Sequence, residues 1–244
     1  MQNNTEELIR HLRRVADAMN IGVADEQCAL FGRYYEFLLE YNQKVNLTRI
    51  TEPMEVAAKH FGDSLAVLNS NDFFSECSVV DVGAGAGFPG LPIAIMRPDI
   101  RITLMDSLRK RTVFLSEAVQ MLELKNVQVV WARAEEMGHN PLYRERFDIV
   151  LARAVAPLNV LVELCLPLLR TGGLFLAMKG PKAKEELTMA QGAIRKLGGF
   201  VISTATDPLP LVGEVRTLIR IGKKYPMADI YPRKAGVPAR QPLA

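Results

Sequence analysis

Between residues 79 and 90 the chain reads Val79-Val80-Asp81-Val82-Gly83-Ala84-Gly85-Ala86-Gly87-Phe88-Pro89-Gly90. An apolar strand runs into three alternating glycines, and a helix-forming run follows. Glycines at such a turn let the backbone take positive φ and approach a ligand closely. In open α/β sheets ligands bind in the crevice beyond the carboxyl ends of the strands. Gly85-x-Gly87-x-x-Gly90 also matches the dinucleotide fingerprint, which carries little weight alone. Two residues point away from a pyrophosphate. Asp81 adds a negative acceptor just before the first glycine, and Phe88 puts a bulky ring inside the turn.

An acceptor at Asp81 suits a ligand with a cationic amine. S-adenosylmethionine has one, and it has no phosphate. The next strand ends in Asp106-Ser107, where a carboxylate can accept from both hydroxyls of a ribose. The strand after that is followed by Ala134-Glu135, placed to line an adenine pocket. A single acid at a strand end is as readily a helix cap or a surface charge. Three in register on successive strand ends point to one ligand.

The elements that must position these residues are legible from periodicity. Leu8, Leu12, Val15 and Met19 recur at helical spacing, as do Phe31, Tyr34, Leu38 and Tyr41, with Tyr35 and Leu39 widening that stripe. Asp25 is the expected cap of the second helix. A third helix is expected from about Pro53 to Leu68, capped by Thr51. From residue 78 strands alternate with helices: strands over 78–82, 101–105, 127–131, 147–152 and 173–178, helices over 91–96, 108–122, 158–169 and 182–197. Such alternation means a parallel sheet covered on both faces. The segments 199–206 and 215–221 have only a short Pro208-Leu209-Pro210 loop between them and suit an antiparallel hairpin at the sheet edge. Residues 223–244 hold four prolines and are expected to be extended.

The chain has 244 residues, is 49% hydrophobic and 23% charged, and carries a formal net charge of +3. That composition excludes disordered and fibrous classes. No apolar run approaches a membrane span, and the polar, acidic start does not fit a signal peptide. Cys28, Cys77 and Cys165 are far apart with no C-x-x-C, which argues against zinc and disulfides and for a reducing, cytoplasmic setting. Residues 215–244 hold seven Lys and Arg against Asp229 alone, a net of +6. A basic end on a nearly neutral body suits a polyanionic partner, or simply keeps a tail solvated.

The whole pattern resembles the bacterial small-subunit ribosomal RNA guanine-N7 methyltransferase family, RsmG or GidB. The resemblance is carried by Tyr41-Asn42-Gln43-Lys44-Val45-Asn46-Leu47-Thr48, His60-Phe61-Gly62-Asp63-Ser64-Leu65, and Asp81 through Pro92. It continues in Asp106-Ser107, Lys110-Arg111, Arg133-Ala134-Glu135, Ala152-Arg153-Ala154-Val155-Ala156, Lys179-Gly180 and Tyr231-Pro232-Arg233-Lys234-Ala235-Gly236-Val237-Pro238. It implies an α/β fold of class I S-adenosylmethionine-dependent methyltransferase type, with a Rossmann-like, mostly parallel seven-stranded sheet. Residues 1–70 would be a helical extension, 71–222 the methyltransferase domain, and 223–244 a basic tail on or near the site. The family's methyl-donor contacts fall on Gly83, Phe88, Ala134, Glu135 and Arg153. The residues themselves add Asp81, Gly85, Gly87 and Asp106.

The implied substrate is a guanine N7 in 16S rRNA, as RNA, assembly intermediate or small subunit, and the implied protein is a monomer. N7 has a free lone pair, so no general base is required and no catalytic residue is assigned. The expected RNA contacts are Arg109, Lys110, Arg111, Lys179, Lys182, Tyr231, Arg233 and Lys234, the cations on phosphates and the tyrosine on a base. His60 and Asp63, three apart on the third helix, would brace that helix against the site or meet RNA, and Asn46 and Thr48 would shape a loop or meet RNA. Arg153 would shape the donor pocket, hold a phosphate or pair with a nearby aspartate. The alternatives are a methyltransferase of this fold with another substrate, a nicotinamide-dependent dehydrogenase and a non-enzymatic RNA-binding protein.

Overall fold

The computed structural model describes residues 2–243. Two long helices open the chain, α1 (Gln2–Ala18) and α2 (Asp25–Val45). Their apolar stripes are buried as the spacing requires, with Leu8, Leu12, Val15, Phe31, Tyr34 and Leu38 wholly enclosed. Asp25 does not cap α2. It is the first helical residue and pairs with Arg13, while Ala24 holds the cap position. The Gln27 side chain reaches back to accept the Ala24 N–H at 2.9 Å. At the other end Asn46 turns left-handed (φ 49°). Asn42 then organises the following loop, accepting from the N–H groups of Leu47 and Thr48 at 2.6 and 2.9 Å.

The expected third helix is composite. It is α-helical over α3 (Pro53–Glu55), π-helical over Val56–Gly62, α-helical again over α4 (Asp63–Leu65) and a 3-10 helix over Ala66–Ser70. Glu52, not Thr51, precedes its first turn, and Pro53 occupies that turn, where a missing N–H costs nothing. The Thr51 carbonyl instead accepts from the Tyr35 hydroxyl at 2.9 Å. Gly62 lets α1 pack directly on the π-helical turn, because a Cβ there would run into the Val15 side chain. π-helical turns are rare and recur at functional sites.

The expected seven-stranded sheet is present: β1 (Ser78–Val82), β2 (Arg101–Asp106), β3 (Val127–Trp131), β4 (Phe147–Arg153), β5 (Leu169–Lys179), β6 (Gly199–Pro208) and β7 (Val215–Lys223). Their order is β3-β2-β1-β4-β5-β7-β6, parallel except for β7, which runs antiparallel to both neighbours. Helices α5 (Gly90–Met96), α6 (Arg109–Met121), α7 (Ala134–Met137), α8 (Leu158–Cys165) and α9 (Ala183–Lys196) connect the strands. The tail is not wholly extended. It carries one more short helix, α10 (Val237–Arg240).

Alternation along the strands sorts two cores. Val79, Ile102, Leu104, Ile149, Leu151 and Leu176 face one core with α1, α2, α5 and α6. Val80, Val82, Met105, Val150, Ala152 and Phe175 face the other with α8 and α9. Side chains two apart share a face, so Asp81, Asp106, Trp131 and Arg153 all project on the side of the N-terminal helices. They do so at or near the carboxyl edge of four neighbouring strands. Among the described residues no helix is long and apolar enough to cross a membrane.

Candidate active site

The glycine turn has the backbone its composition requires. Gly83, Gly85 and Gly87 all have positive φ (74°, 60° and 94°). A Cβ on Gly83 would lie 2.7 Å from Val155, and one on Gly87 would lie 2.6 Å from the Tyr34 hydroxyl. At Gly85 only the Gly83 carbonyl lies near such a Cβ, so the turn is open to a ligand there. The Tyr34 hydroxyl donates to the Ala86 carbonyl and pins the turn to α2. Tyr34 reads in the sequence as a core residue of a helical stripe, and nothing there marks its hydroxyl as a support of the turn.

Asp81 lies beneath this turn with no exposed surface. Its Oδ2 accepts the Gly90 N–H at 2.9 Å, whereas Oδ1 is buried with no partner among the described residues. Burial pushes its pKa up to about 7, against the smaller opposing pulls of the Gly90 N–H and Arg153. Asp106 is almost as deeply set. Its Oδ2 accepts from Gly85 N–H at 3.0 Å and from Arg111 at 3.3 Å, and its Oδ1 accepts from Leu108 N–H at 2.8 Å. One expected donor-site acid therefore ties the glycine turn to the next strand.

A cleft of about 160 Å³ above the turn brings together Gly83, Gly85, Phe88 and Arg153, with Thr48 and Arg111. Asp81, Gly87, Asp106, Ala134 and Glu135 do not line this cleft, and Ala134 and Glu135 open α7. The Glu135 carboxylate accepts from the tail, Gly236 N–H at 3.1 Å. A second cavity of about 550 Å³ adjoins the first and is lined by Lys59, Asp63, Lys179, Glu186 and Arg216, among others. The two share His60, Arg153 and Ala154 as a common wall.

That wall is built by the π-helical turn. Arg153 donates to the Lys59 carbonyl and to Asp63 Oδ2, both at 2.9 Å, and to His60 Nδ1 at 3.3 Å. A guanidinium cannot accept, so Nδ1 is the accepting nitrogen and Nε2–H donates to Thr48 Oγ1 at 2.9 Å. Burial, reinforced by the Arg153 charge, lowers the His60 pKa to about 3, so the ring is neutral. His60 stacks on Phe88 at 4.4 Å, and the Arg153 guanidinium lies over the same ring at 5.2 Å. Arg216 Nε reaches Asp63 Oδ2 at 3.5 Å from β7. Arg216 counted in the sequence only as part of a basic end. Its partner is 153 residues away, and no local pattern announces the pair.

The other expected cations have diverse settings. Arg109 and Lys110 are exposed at the start of α6, and Lys182 is exposed before α9. Lys179 is buried, donating to the Ala156 carbonyl at 2.6 Å and pairing with Glu186 at 2.8 Å. In the tail, Tyr231 is buried and Lys234 exposed. Arg233 grips the wholly buried Glu163 by two side-chain bonds of 2.8 and 2.6 Å and a third from its backbone N–H. Arg144 and His139 hold the carbonyls of Tyr231 and Pro232. The tail is thus strapped across α7 and α8 beside Glu135.

The rRNA small subunit methyltransferase G family, GidB, matches residues 27–207. A ribosomal RNA small subunit methyltransferase G of Desulforamulus reducens is 45% identical over 96% of this chain and 97% of its own. Its namesake from Lactobacillus delbrueckii subsp. bulgaricus is 50% identical over 92% of this chain and 95% of its own. Among solved structures, a SAM-dependent O-methyltransferase from Thermotoga maritima shares the fold with a TM-score of 0.53 at 12% identity, covering 78% of this chain and 73% of that one. The dinucleotide reading of Gly85-x-Gly87-x-x-Gly90 gives way to these matches. With a family match over most of its length and relatives at 45–50% identity, the chain belongs to the rRNA small subunit methyltransferase G family.

Proposed function

We propose that this protein methylates N7 of a guanine in 16S rRNA, with S-adenosylmethionine as the donor, as a cytoplasmic monomer. One observation carries the reading: two cavities, one over the glycine turn and one beside it, meet at the Arg153–His60 wall. A reaction between two bound molecules needs two sites that touch.

The first cleft, about 160 Å³, is smaller than an ordinary small-ligand site, and the donor is matched to it by the chemistry of the residues in and beneath it. The partnerless Asp81 Oδ1 would take its cationic amine, and the open Gly85 backbone would let it approach. Asp106 would take the ribose hydroxyls, exchanging the long Arg111 contact for them. Ala134 and Glu135 would border the adenine, and Gly83, Gly87, Phe88 and Arg153 would shape the remaining walls. When bound, S-adenosylmethionine supplies a methyl group activated by its sulfonium charge.

The second cavity has the size of an ordinary small-ligand site and would hold the base. Guanine N7 needs no proton removed, and among the described residues the shared wall of His60, Arg153 and Ala154 offers no strong base. Both His60 nitrogens are engaged, and a pKa lowered to about 3 leaves its ring a very weak base. What these residues contribute is placement and exclusion of water, which can supply up to about 7–11 kcal/mol of a barrier. Arg109, Lys110, Arg111, Lys182 and Lys234 remain available to RNA, whereas Lys179, Tyr231 and Arg233 would act by shaping the walls.

The test is methylation of small-subunit RNA with labelled donor, followed by mapping of the modified nucleotide. Naked RNA, precursor particles and mature subunits should be offered in parallel. Label at a single guanine N7 supports the reading, and label elsewhere or none on any of the three substrates refutes it.

A further inference from the structure

Trp131, the only tryptophan in the chain, has no place in the scheme above. It ends β3, the outermost strand on its side of the sheet, and is 59% exposed. Core packing does not account for an indole so placed. Its ring is nonetheless held: Nε1–H donates to the Ser107 carbonyl at 3.1 Å, and the Arg109 guanidinium lies over the ring at 5.2 Å. A fixed aromatic plane with a guanidinium on it is a surface on which bases stack, because every base has a π-face.

Its position agrees. Trp131 pairs in register with Asp106, and by alternation it projects on the same face as Asp81, Asp106 and Arg153. Strands lie about 4.8 Å apart, so three strands put Trp131 roughly 15 Å from Arg153 along one edge of the sheet. RNA covers that distance in a few nucleotides. The surroundings are cationic and uncovered: Arg109, Lys110 and Arg133 are all exposed. Leu108 and Val113, next to Arg109 and one turn beyond it in the chain, are exposed as well.

We propose that Trp131 and Arg109 form a stacking site for an unpaired base of the substrate RNA, a few nucleotides from the target guanine. The proposal rests on the RNA-methylating reading above and adds a second contact to it. The site selects single strands, because a base inside a duplex has its faces covered by its neighbours.

With one tryptophan, emission excited at the red edge of the indole band, beyond the absorption of the six tyrosines, reports on this position alone. The full-length protein, saturated with S-adenosylmethionine, is titrated with an unpaired RNA oligonucleotide and with a duplex of equal length. The unpaired RNA should quench the emission and the duplex should not. Trp131→Ala should weaken binding of unpaired RNA about 5- to 150-fold, the range of one lost base–aromatic stack. It should raise KM for RNA more than it lowers kcat. Trp131→Phe should restore most of the loss. Donor affinity and melting temperature should stay at parental values in both variants, which separates the site from a structural role.

RNA affinity and KM within twofold of the parent in Trp131→Ala would overturn the proposal. So would quenching by S-adenosylmethionine alone, which would assign the ring to the donor. Quenching by ribosomal proteins but not by RNA would assign it to a protein partner and equally overturn it. A parent that methylates rRNA alongside an indifferent Trp131→Ala sinks the stacking site only. A parent that neither binds nor methylates rRNA sinks the functional reading and the stacking site with it.

Discussion

Asp81→Asn separates what a buried carboxylate costs the fold from what it gives the donor. The Asp81 pKa stands at about 7 rather than 3.8, mainly because burial disfavours the charge. A group with a raised folded pKa holds its proton more tightly folded than unfolded. Its burden is therefore absent below the usual carboxylate range, grows as pH rises, and is complete above about 7. At about 1.4 kcal/mol per unit, the ionised carboxylate costs the fold about 4 kcal/mol. Between about pH 5 and pH 8 the ligand-free protein should lose about 2–3 kcal/mol from this residue alone. Asn keeps the acceptor for Gly90 N–H and does not titrate, so Asp81→Asn should not show that loss.

Donor affinity should have the opposite slope. A cationic amine on Oδ1 favours the ionised form, so affinity should rise up to tenfold per pH unit below about 7. It should fall again above about 8, where the donor's own α-amino group loses its proton. Near pH 7 binding should release about half a proton, visible as a dependence of calorimetric heat on buffer ionisation enthalpy. At about pH 7.5, Asp81→Asn should bind about 10- to 100-fold more weakly, the worth of one hydrogen bond to a charged group. Its affinity should be flat between about pH 5 and pH 7, with no proton released. Parallel pH profiles for the two proteins would refute the reasoning, because Asp81 would then not face the amine.

Gly62→Ala should destabilise by about 1–3 kcal/mol in urea unfolding, since its Cβ would collide with Val15. The Gly62→Ala, Val15→Ala double variant should lose less than the sum of the two single losses. At the tail, Arg233→Ala should cost about 3–5 kcal/mol, because it leaves the wholly buried Glu163 charge unpaired. Glu163→Ala should cost less, since the Arg233 side chain is 25% exposed and can reach water; equal losses would contradict that asymmetry. RNA affinity should fall with salt, and Lys110→Ala should flatten the log–log slope by about 0.7, one phosphate on a single strand. Arg220→Ala, whose cation is tied to Asp72, should leave the slope unchanged.

Residues whose meaning depends on chain direction and alternation were legible in the sequence; residues whose meaning depends on a remote partner were not. In a parallel sheet every strand ends at the same edge, so Asp81, Asp106 and Arg153 could be placed beside one another from local pattern alone. That they also share one face is a finding of the structure. The π-helical turn had no such signal, because Val56–Gly62 reads as ordinary helix and the close approach of Val15 to Gly62 joins residues far apart in the chain. Charge was the most misleading quantity. The basic end, 215–244, counts seven cations, yet Arg216, Arg220, Lys223 and Arg233 are paired with Asp63 and Glu214, Asp72, Glu145 and Glu163. Apart from Arg216 with Glu214, those partners lie 70 to 153 residues away. A tally along the chain counts a paired guanidinium and a free one alike, but only the free one displaces counterions from RNA. Of the seven, Lys224, Lys234 and Arg240 stay exposed with no ion pair among the described residues, and Arg109 and Lys110 add two exposed cations at the start of α6, where Arg109 lies over Trp131. The polyanionic partner inferred from the basic end can therefore be met by only three of its seven cations, and the corner of the sheet at α6 supplies others that the tally along the tail did not include.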